Sequence, residues 1–226
     1  MKSQRKNFST LKPRERLLSF GAHVLSDAEL LAVLLRTGNG QHGVVQLAQH
    51  LLQYFGGLRQ LLHAAPQQLM AQPGIGLAKA CEILAVSELS RRALEQELRD
   101  SPSFTQTQVV KRYCIAHLGH LTVEHCIALF LNTQLRLITT KILAKGTLNQ
   151  AHVYPREVVK AALKHHAAAV ILAHNHPSGA REASAADIAL TKHLTKALAL
   201  VDIRLIDHVI VAGNHASSLA EEGLLA

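Results

Sequence analysis

The chain has few aromatic residues and no long apolar segment. It contains no Trp, three Tyr and five Phe among 226 residues, so Leu, Ala, Val and Ile must fill its interior. The longest apolar runs are far shorter than the roughly 20 residues that a membrane-spanning helix needs. Residues 1–7 run into polar sequence and do not resemble a signal peptide. These absences predict a cytoplasmic protein with no membrane association. The length of 226 residues is enough for one large or two small domains.

Cysteine is also scarce. Cys81, Cys114 and Cys126 are odd in number, widely spaced and without a CxxC pair. This pattern is typical of reduced, mostly buried thiols in a cytosolic protein.

Charge is present but not concentrated. The formal net charge is +8, and residues 1–100 and 101–226 each carry 12 basic and 8 acidic side chains. The excess is compatible with a polyanionic partner but equally with a generally basic soluble protein, so charge alone does not establish nucleic-acid binding.

Residues 1–100 predict an all-helical domain. Apolar periodicity, acidic first turns and terminating glycines mark its helices, and strand-like alternation is rare. Residues 99–103 mark a linker to a second domain at 104–226. The predicted helices are 27–35, 44–55, 58–64, 66–71 and 83–98.

Pro73-Gly74-Ile75-Gly76, with Lys79 after it, resembles the turn of a helix-hairpin-helix motif. N–H groups at a helix N-terminus can hold a phosphate, and Lys79 would add positive charge. Such a hairpin contacts the DNA backbone without reading bases. Gly74, Ile75, Gly76 and Lys79 are therefore candidate DNA-binding residues. The alternative is a plain packing element, since Gly and Pro occur in any helical hairpin.

Residues 104–226 mix strands and helices, which predicts an α/β sandwich on a mixed sheet. Helices are expected at 107–118, from Pro155, and from Ala185 to about Leu200. Strands or extended segments are expected at 125–131, 135–143, 146–153, 167–173 and 204–211.

His174 and His176 follow the apolar run 167–173 and would project from one face at a strand end. Pro177 ends the strand, Gly179 permits a tight turn, and Asp187 returns eleven residues after His176. Two imidazoles and one carboxylate are a common zinc set that leaves a fourth position for water. The spacing predicts one Zn²⁺ per chain.

Ser184 and Asp187 also form a capping box before the helix that begins at Ala185. Asp187 could serve only that helix end, although an Asp in a first turn can both cap a helix and face a strand end. Ser184 is a candidate catalytic residue that would stabilise an oxyanion or support a ligand.

Hydrolysis at such a site needs a general base that is not itself a ligand. Glu124 directly precedes the strand 125–131 and is the candidate, although an exposed strand-end charge is the simpler explanation of its position. Glu157 competes, but it follows Pro155 where an acid stabilises a helix N-terminus.

The set Glu124, His174-x-His176-Pro177 and Ser184-x-x-Asp187 resembles the JAMM motif of the MPN (JAB) metallohydrolases. Longer phrases resemble the bacterial RadC family over nearly the whole chain, although many members carry Pro at the position of Ala183. These phrases are 14–18, 25–38, 154–160, 173–179 and 205–211.

The resemblance implies an α+β protein: a helical domain with a helix-hairpin-helix, and an MPN domain of cytidine-deaminase-like α/β fold with a mixed sheet. It supports Glu124 as the general base and implies amide hydrolysis of a peptide or protein. RadC-like proteins have traditionally been linked to DNA repair, so a DNA-associated nuclease or accessory factor is the second interpretation. A non-catalytic MPN scaffold is the third, and its signature would be a missing ligand. None is missing.

Overall fold

The computed structural model describes residues 11–100, 107–146 and 153–225. The chain divides into two compact units, Met1–Leu89 and Ser90–Ala226, and the division falls inside a long helix. The sequence-based limits, 1–100 and 104–226, place the boundary after this helix, although the linker predicted at 99–103 begins within the last residues of the helix. Those limits stay a prediction.

The first unit is helical, as the sequence predicts. Ser26 caps α2: its hydroxyl accepts the Glu29 N–H, and the Glu29 carboxylate accepts the Ser26 N–H in return. Gly56 ends α3 in the left-handed conformation at φ +78°. Its helices are α1 (Pro13–Phe20), α2 (Asp27–Leu35), α3 (Val44–Phe55), α4 (Leu58–Leu62), α5 (Pro66–Met70) and the first part of α6 (Leu77–Asp100).

This unit has its own apolar core. Leu31 and Leu35 of α2 pack in one cluster with Leu47 and Leu51 of α3, and Ile83 of α6 joins the same cluster. All five side chains are buried, since their apolar faces recur at helical spacing. The segment between α5 and α6 forms the turn of the predicted helix-hairpin-helix.

The second unit contains a five-stranded mixed sheet of order β2-β1-β3-β4-β5. Strands β3 and β4 are parallel and joined through helix α9, whereas the other neighbouring strands are antiparallel. Its elements are the end of α6, α7 (Thr107–Leu118), β1 (His125–Leu131), β2 (Leu137–Lys145), α8 (Pro155–Lys164), β3 (Ala169–Asn175), α9 (Ala185–Ala199), β4 (Arg204–Ala212) and β5 (His215–Ser218).

Helices cover both faces of this sheet, which makes β1 and β3 almost wholly apolar. Odd-numbered residues of β1 and β3, such as Ile127 and Ile171, pack with Tyr113 of α7. Even-numbered residues, such as Phe130 and Leu172, pack with α8 and α9. The sheet is therefore sandwiched, and a residue's parity decides which helices it meets.

Several element limits differ from the sequence-based ones. Helix α6 begins at Leu77, six residues before the predicted start, because it continues directly from the hairpin. Strand β2 lies two residues later than predicted, after a turn in which Leu135 adopts φ +58°. Strand β5 was not predicted. Most of the extended segment expected at 146–153 lies outside the described residues. In the part of the chain that is described, no helix is long and apolar enough to cross a bilayer.

Candidate metal centre

The candidate ligands meet where the end of β3 faces the start of α9. His174 lies within β3, and the N–H of His176, the first residue after the strand, donates to Val211 of β4 at 2.8 Å. A turn then reverses the chain, with Gly179 at φ +83° donating its N–H to the His176 carbonyl. The sheet thus fixes both histidines, and α9 presents Asp187 in its first turn.

Three side-chain donors converge at this point. His174 Nε2 is 2.9 Å from His176 Nε2 and 3.1 Å from Asp187 Oδ1, and His176 Nε2 is 3.5 Å from Asp187 Oδ2. The His174 and Asp187 side chains are each 1% exposed, and that of His176 is 10% exposed. The three residues form a group that could hold a metal ion, as the sequence predicts.

The proton on the His176 imidazole is placed as such an ion requires. His176 Nδ1 lies 2.9 Å from the Ala180 carbonyl oxygen, which can only accept, so Nδ1 carries the proton. A neutral His176 then has its lone pair on Nε2, the atom facing Asp187. Lone pairs and a carboxylate crowded together in a buried space repel one another unless a cation lies among them.

The carboxylate is held in its ionised form. Burial alone would raise the pKa of Asp187, but the hydrogen bonds that its carboxylate accepts, among them those from Ser184, outweigh burial and hold the pKa well below its usual value. Asp187 is therefore an anion throughout the neutral range. Unlike Asp187, Cys126 is not ionised. It is the β1 residue paired with His174, and burial raises the pKa of its thiol and keeps it protonated.

Ser184 is the N-cap of α9. Its hydroxyl donates to Asp187 Oδ2 at 2.6 Å, its N–H donates to the same oxygen at 2.8 Å, and its oxygen accepts the Asp187 N–H at 3.2 Å. The capping box and the ligand geometry coexist, as the sequence allows. Of the two roles expected for Ser184, the contacts match support of a ligand; a role at an oxyanion stays a prediction.

His208 and Thr191 lie behind His174, and sequence reasoning did not single them out. His208 Nε2 is 2.8 Å from His174 Nδ1, and His208 Nδ1 is 2.6 Å from the Thr191 hydroxyl. Burial, with a smaller contribution from His174, lowers the pKa of His208 to about 3, so this imidazole is neutral. The available signal was a lone His inside the apolar strand run that became β4.

Glu124 directly precedes β1 and is half-buried. Cys126 pairs with His174 in the antiparallel β1–β3 ladder, so continuing that register by two residues brings Glu124 opposite His176. The Glu124 carbonyl accepts the Gly146 N–H at 2.9 Å, which fixes its backbone to the end of β2. The backbone position suits a base beside the metal centre. Glu157 lies in the first turn of α8, as predicted for a structural acid.

Asn175 ties the segment around Glu124 to the metal strand, a connection missing from the sequence analysis. Its Oδ1 accepts the His125 N–H at 2.7 Å, and its Nδ2 donates to the carbonyls of Leu121 and Val123 at 3.1 Å each. Asn175 is 2% exposed and points to the sheet face opposite His174. It therefore holds the chain on both sides of Glu124.

A cleft of about 350 Å³ opens beside His176. It lies at the carboxyl ends of the parallel pair β3 and β4, a common place for ligands in such sheets. The residues that line it come from the end of α7, the turn after β3 and the β4–β5 turn: Leu118, Gly119, Leu121, Asn175, His176, Pro177, Ser178, Gly179, Arg181, Ala212, Gly213 and His215.

The hairpin residues form a separate group within the first unit. Gly74 has φ +87°, and a side chain there would collide with Asn39, whose Nδ2 donates to the Pro73 carbonyl. Ile75 is 4% exposed and belongs to the core, and Gly76 faces open space. The ammonium of Lys79 donates to the Thr37, Gly38 and Gly74 carbonyls at 2.7, 3.1 and 3.0 Å. Lys79 thus joins two loops, a structural role that the sequence did not reveal.

Comparison with known proteins covers nearly the entire chain. Residues 104–224 match the model of the RadC-like JAB domain, and residues 6–81 match the UPF0758 N-terminal model. A UPF0758 protein of Bordetella parapertussis is 57% identical over 213 residues, covering 94% of this chain and 95% of its own. UPF0758 proteins of an Acidovorax species and of Saccharophagus degradans are each 53% identical, covering 95% and 94% of this chain and 96% and 95% of theirs.

The matches agree with the structure: the first model lies on the mixed sheet and its helices, and the second lies on the helical unit. JAB domains are often hydrolytic, and in this one two histidines and an aspartate converge at one point. The chain therefore belongs to the UPF0758 family and carries a RadC-like JAB domain.

Proposed function

We propose that the second unit is a zinc-dependent hydrolase of amide bonds, of metallopeptidase or isopeptidase type. The observation that carries the proposal is the buried convergence of His174 Nε2, His176 Nε2 and an Asp187 oxygen, all within 4.8 Å of one another. One ion held by these three ligands would keep a coordination position open, as catalytic zinc sites do.

The donor set favours zinc over magnesium. Mg²⁺ prefers oxygen ligands and near-octahedral geometry, and nucleases that use it rely on several carboxylates or paired metals. This centre offers two imidazole nitrogens and one carboxylate, a set suited to Zn²⁺. The same argument makes a nuclease activity at this site the weaker proposal.

The chain's own residues divide the chemical work. Zinc would act as a Lewis acid that polarises the amide carbonyl and activates water for attack. Glu124 would take the proton from the attacking water and deliver a proton to the departing amine nitrogen. Ser184 would keep the Asp187 carboxylate oriented through its two hydrogen bonds. The cleft beside His176 would receive the peptide or protein substrate.

Metal analysis together with a cleavage screen tests this function. The full chain, purified and loaded with Zn²⁺, should hold about one zinc and cleave a member of a panel of peptides and isopeptide-linked conjugates. His176→Ala should lose both properties. His193→Ala is the matched control, because His193 is exposed on α9 and should change neither. Equal zinc content in the parent and His176→Ala would reject this site.

We also propose that the first unit contacts the backbone of DNA, without base specificity. The supporting observation is the hairpin itself: a left-handed Gly74 leads into the N-terminus of α6, where the first N–H groups have no partner within the helix. Since Lys79 donates to three carbonyls, these N–H groups are the better candidates for a phosphate.

A further inference from the structure

A chain of hydrogen bonds connects two of the candidate metal ligands through the interior. It runs from His174 Nδ1 to His208 Nε2 over 2.8 Å, from His208 Nδ1 to Thr191 Oγ1 over 2.6 Å, and from Thr191 Oγ1 to the Asp187 carbonyl oxygen over 2.6 Å. All four residues are at most 1% exposed. This series of hydrogen bonds begins at one candidate ligand and ends at another, so the positions of its protons affect the candidate metal centre directly.

The direction of these hydrogen bonds follows from the carbonyl at the end. The Asp187 carbonyl can only accept, so the Thr191 hydroxyl donates its single proton there. The Thr191 oxygen is then the acceptor for a proton on His208 Nδ1. With its proton on Nδ1, His208 presents an unprotonated Nε2 to His174 and accepts the His174 Nδ1 proton there.

We infer that His208 and Thr191 are positioning residues that hold the Nδ1 proton of His174 and thereby keep His174 Nε2 facing the metal. The inference rests on the proposed function, since a ligand needs this arrangement only where a metal binds. The carbonyl of Ala180 does the same for His176. The two imidazoles are therefore held by different partners. The Ala180 backbone carbonyl holds His176, and the buried side chains of His208 and Thr191 hold His174.

Apolar packing alone does not account for His208. Both of its ring nitrogens are engaged, and its neighbours in the chain are polar groups inside an otherwise apolar layer. An apolar side chain of similar size would fill the volume but would leave the His174 Nδ1 proton buried without an acceptor, which is unfavourable.

The proton positions are measurable by NMR on the full chain. Nitrogen-15 shifts of the imidazoles, recorded with and without Zn²⁺, distinguish a proton on Nδ1 from one on Nε2. We expect His208 to carry its proton on Nδ1 in both states, because Thr191 sets it in both. A His208 proton on Nε2 would mean that the hydrogen bonds run in the opposite direction, and it would overturn the inference. This measurement needs no variant and no substrate.

Zinc affinity measured by competition with a chromophoric chelator gives the second test. Thr191→Val keeps the size of Thr191 but removes the hydroxyl, and it should weaken zinc binding about 10–100-fold, the range typical for groups that support metal ligands. Thr191→Ser keeps the hydroxyl and should restore the parent affinity. Unchanged affinity in Thr191→Val would also overturn the inference. A parent protein that binds no zinc would defeat the proposed function. The NMR measurement on that metal-free protein would still decide the direction of the hydrogen bonds from His174 to Asp187.

Discussion

Glu124 and the three ligands have separable roles. Glu124→Gln should nearly abolish hydrolysis, leaving a small residual rate, while zinc content stays at the parent level, because Gln keeps the size of Glu but cannot take a proton. General-base catalysis typically contributes about 10²–10⁴-fold, so the loss should be plain in a cleavage assay run beside elemental analysis.

Glu157→Gln is the matched control. Its carboxylate lies in the first turn of α8, so the change should cost only a few tenths of a kcal/mol through the helix end and leave activity intact. Full activity in Glu124→Gln with near-total loss in Glu157→Gln would reverse the assignment.

Asn175 should affect activity through Glu124. Asn175→Ala removes three part-buried hydrogen bonds to residues 121, 123 and 125, so the His125 amide hydrogen should exchange faster and stability should fall by roughly 1–3 kcal/mol. The decisive measurement is a double-mutant cycle on the cleavage rate. In a Glu124→Gln background, Asn175→Ala should slow the residual reaction far less than it slows the parent. Equal slowing in both backgrounds would show that Asn175 acts elsewhere.

Residues differ in how far the sequence could reveal them. His174, His176 and Asp187 lie within fourteen positions of one another, and strand alternation plus a capping box is enough to bring them together. His208 contacts His174 from 34 positions away, and Asn175 reaches back 50 positions to His125. Only strand pairing creates those contacts, so a single sequence gives no spacing rule for them.

At the scale of elements, local signals decided what could be predicted. Helices α2, α3 and α7 and strand β1 begin and end at the predicted residues, because caps, glycines and apolar periodicity mark them. The start of α6 was predicted too late, since Gly76 and Leu77 look like loop until the hairpin is folded. Strand β5, with the sequence His-Ala-Ser-Ser, lacks apolar alternation and exists through its pairing with β4.

The hairpin makes an element-scale prediction about DNA. Full-chain protein should bind duplex DNA weakly and without sequence preference, and affinity should fall steeply with salt as counterions are released. Gly74→Asp together with Lys79→Glu should abolish this binding, because the first change collides with Asn39 and both add negative charge. Fluorescence anisotropy against salt measures it. Binding that survives the double change, or that is absent at low salt, would reject the hairpin as a DNA contact.

Lys79→Gln separates the two roles of this lysine. It removes an ammonium that joins the 37–38 loop to the hairpin, so it should lower thermal stability. If that structural role is the main one, the slope of log affinity against log salt should change by much less than the value of about one expected for a lost phosphate contact.

At the scale of the whole molecule, two units with separate cores should respond differently to metal. The ligands all belong to the unit Ser90–Ala226, and the core of Met1–Leu89 is built from helices of its own. A ligand that binds only the native state stabilises by RT ln(1 + [L]/Kd), about 2.7 kcal/mol at a hundred times Kd. Zinc should therefore protect β1, β3, β4 and α9 from hydrogen exchange by up to that amount. Amides of α2 and α3 should change little, and EDTA should reverse the protection.

His176→Ala should remove the effect of zinc, whereas His193→Ala should retain it. Protection that spreads equally over α2 and α3 would contradict the separate response of the two units, and protection that persists in His176→Ala would move the metal to another site.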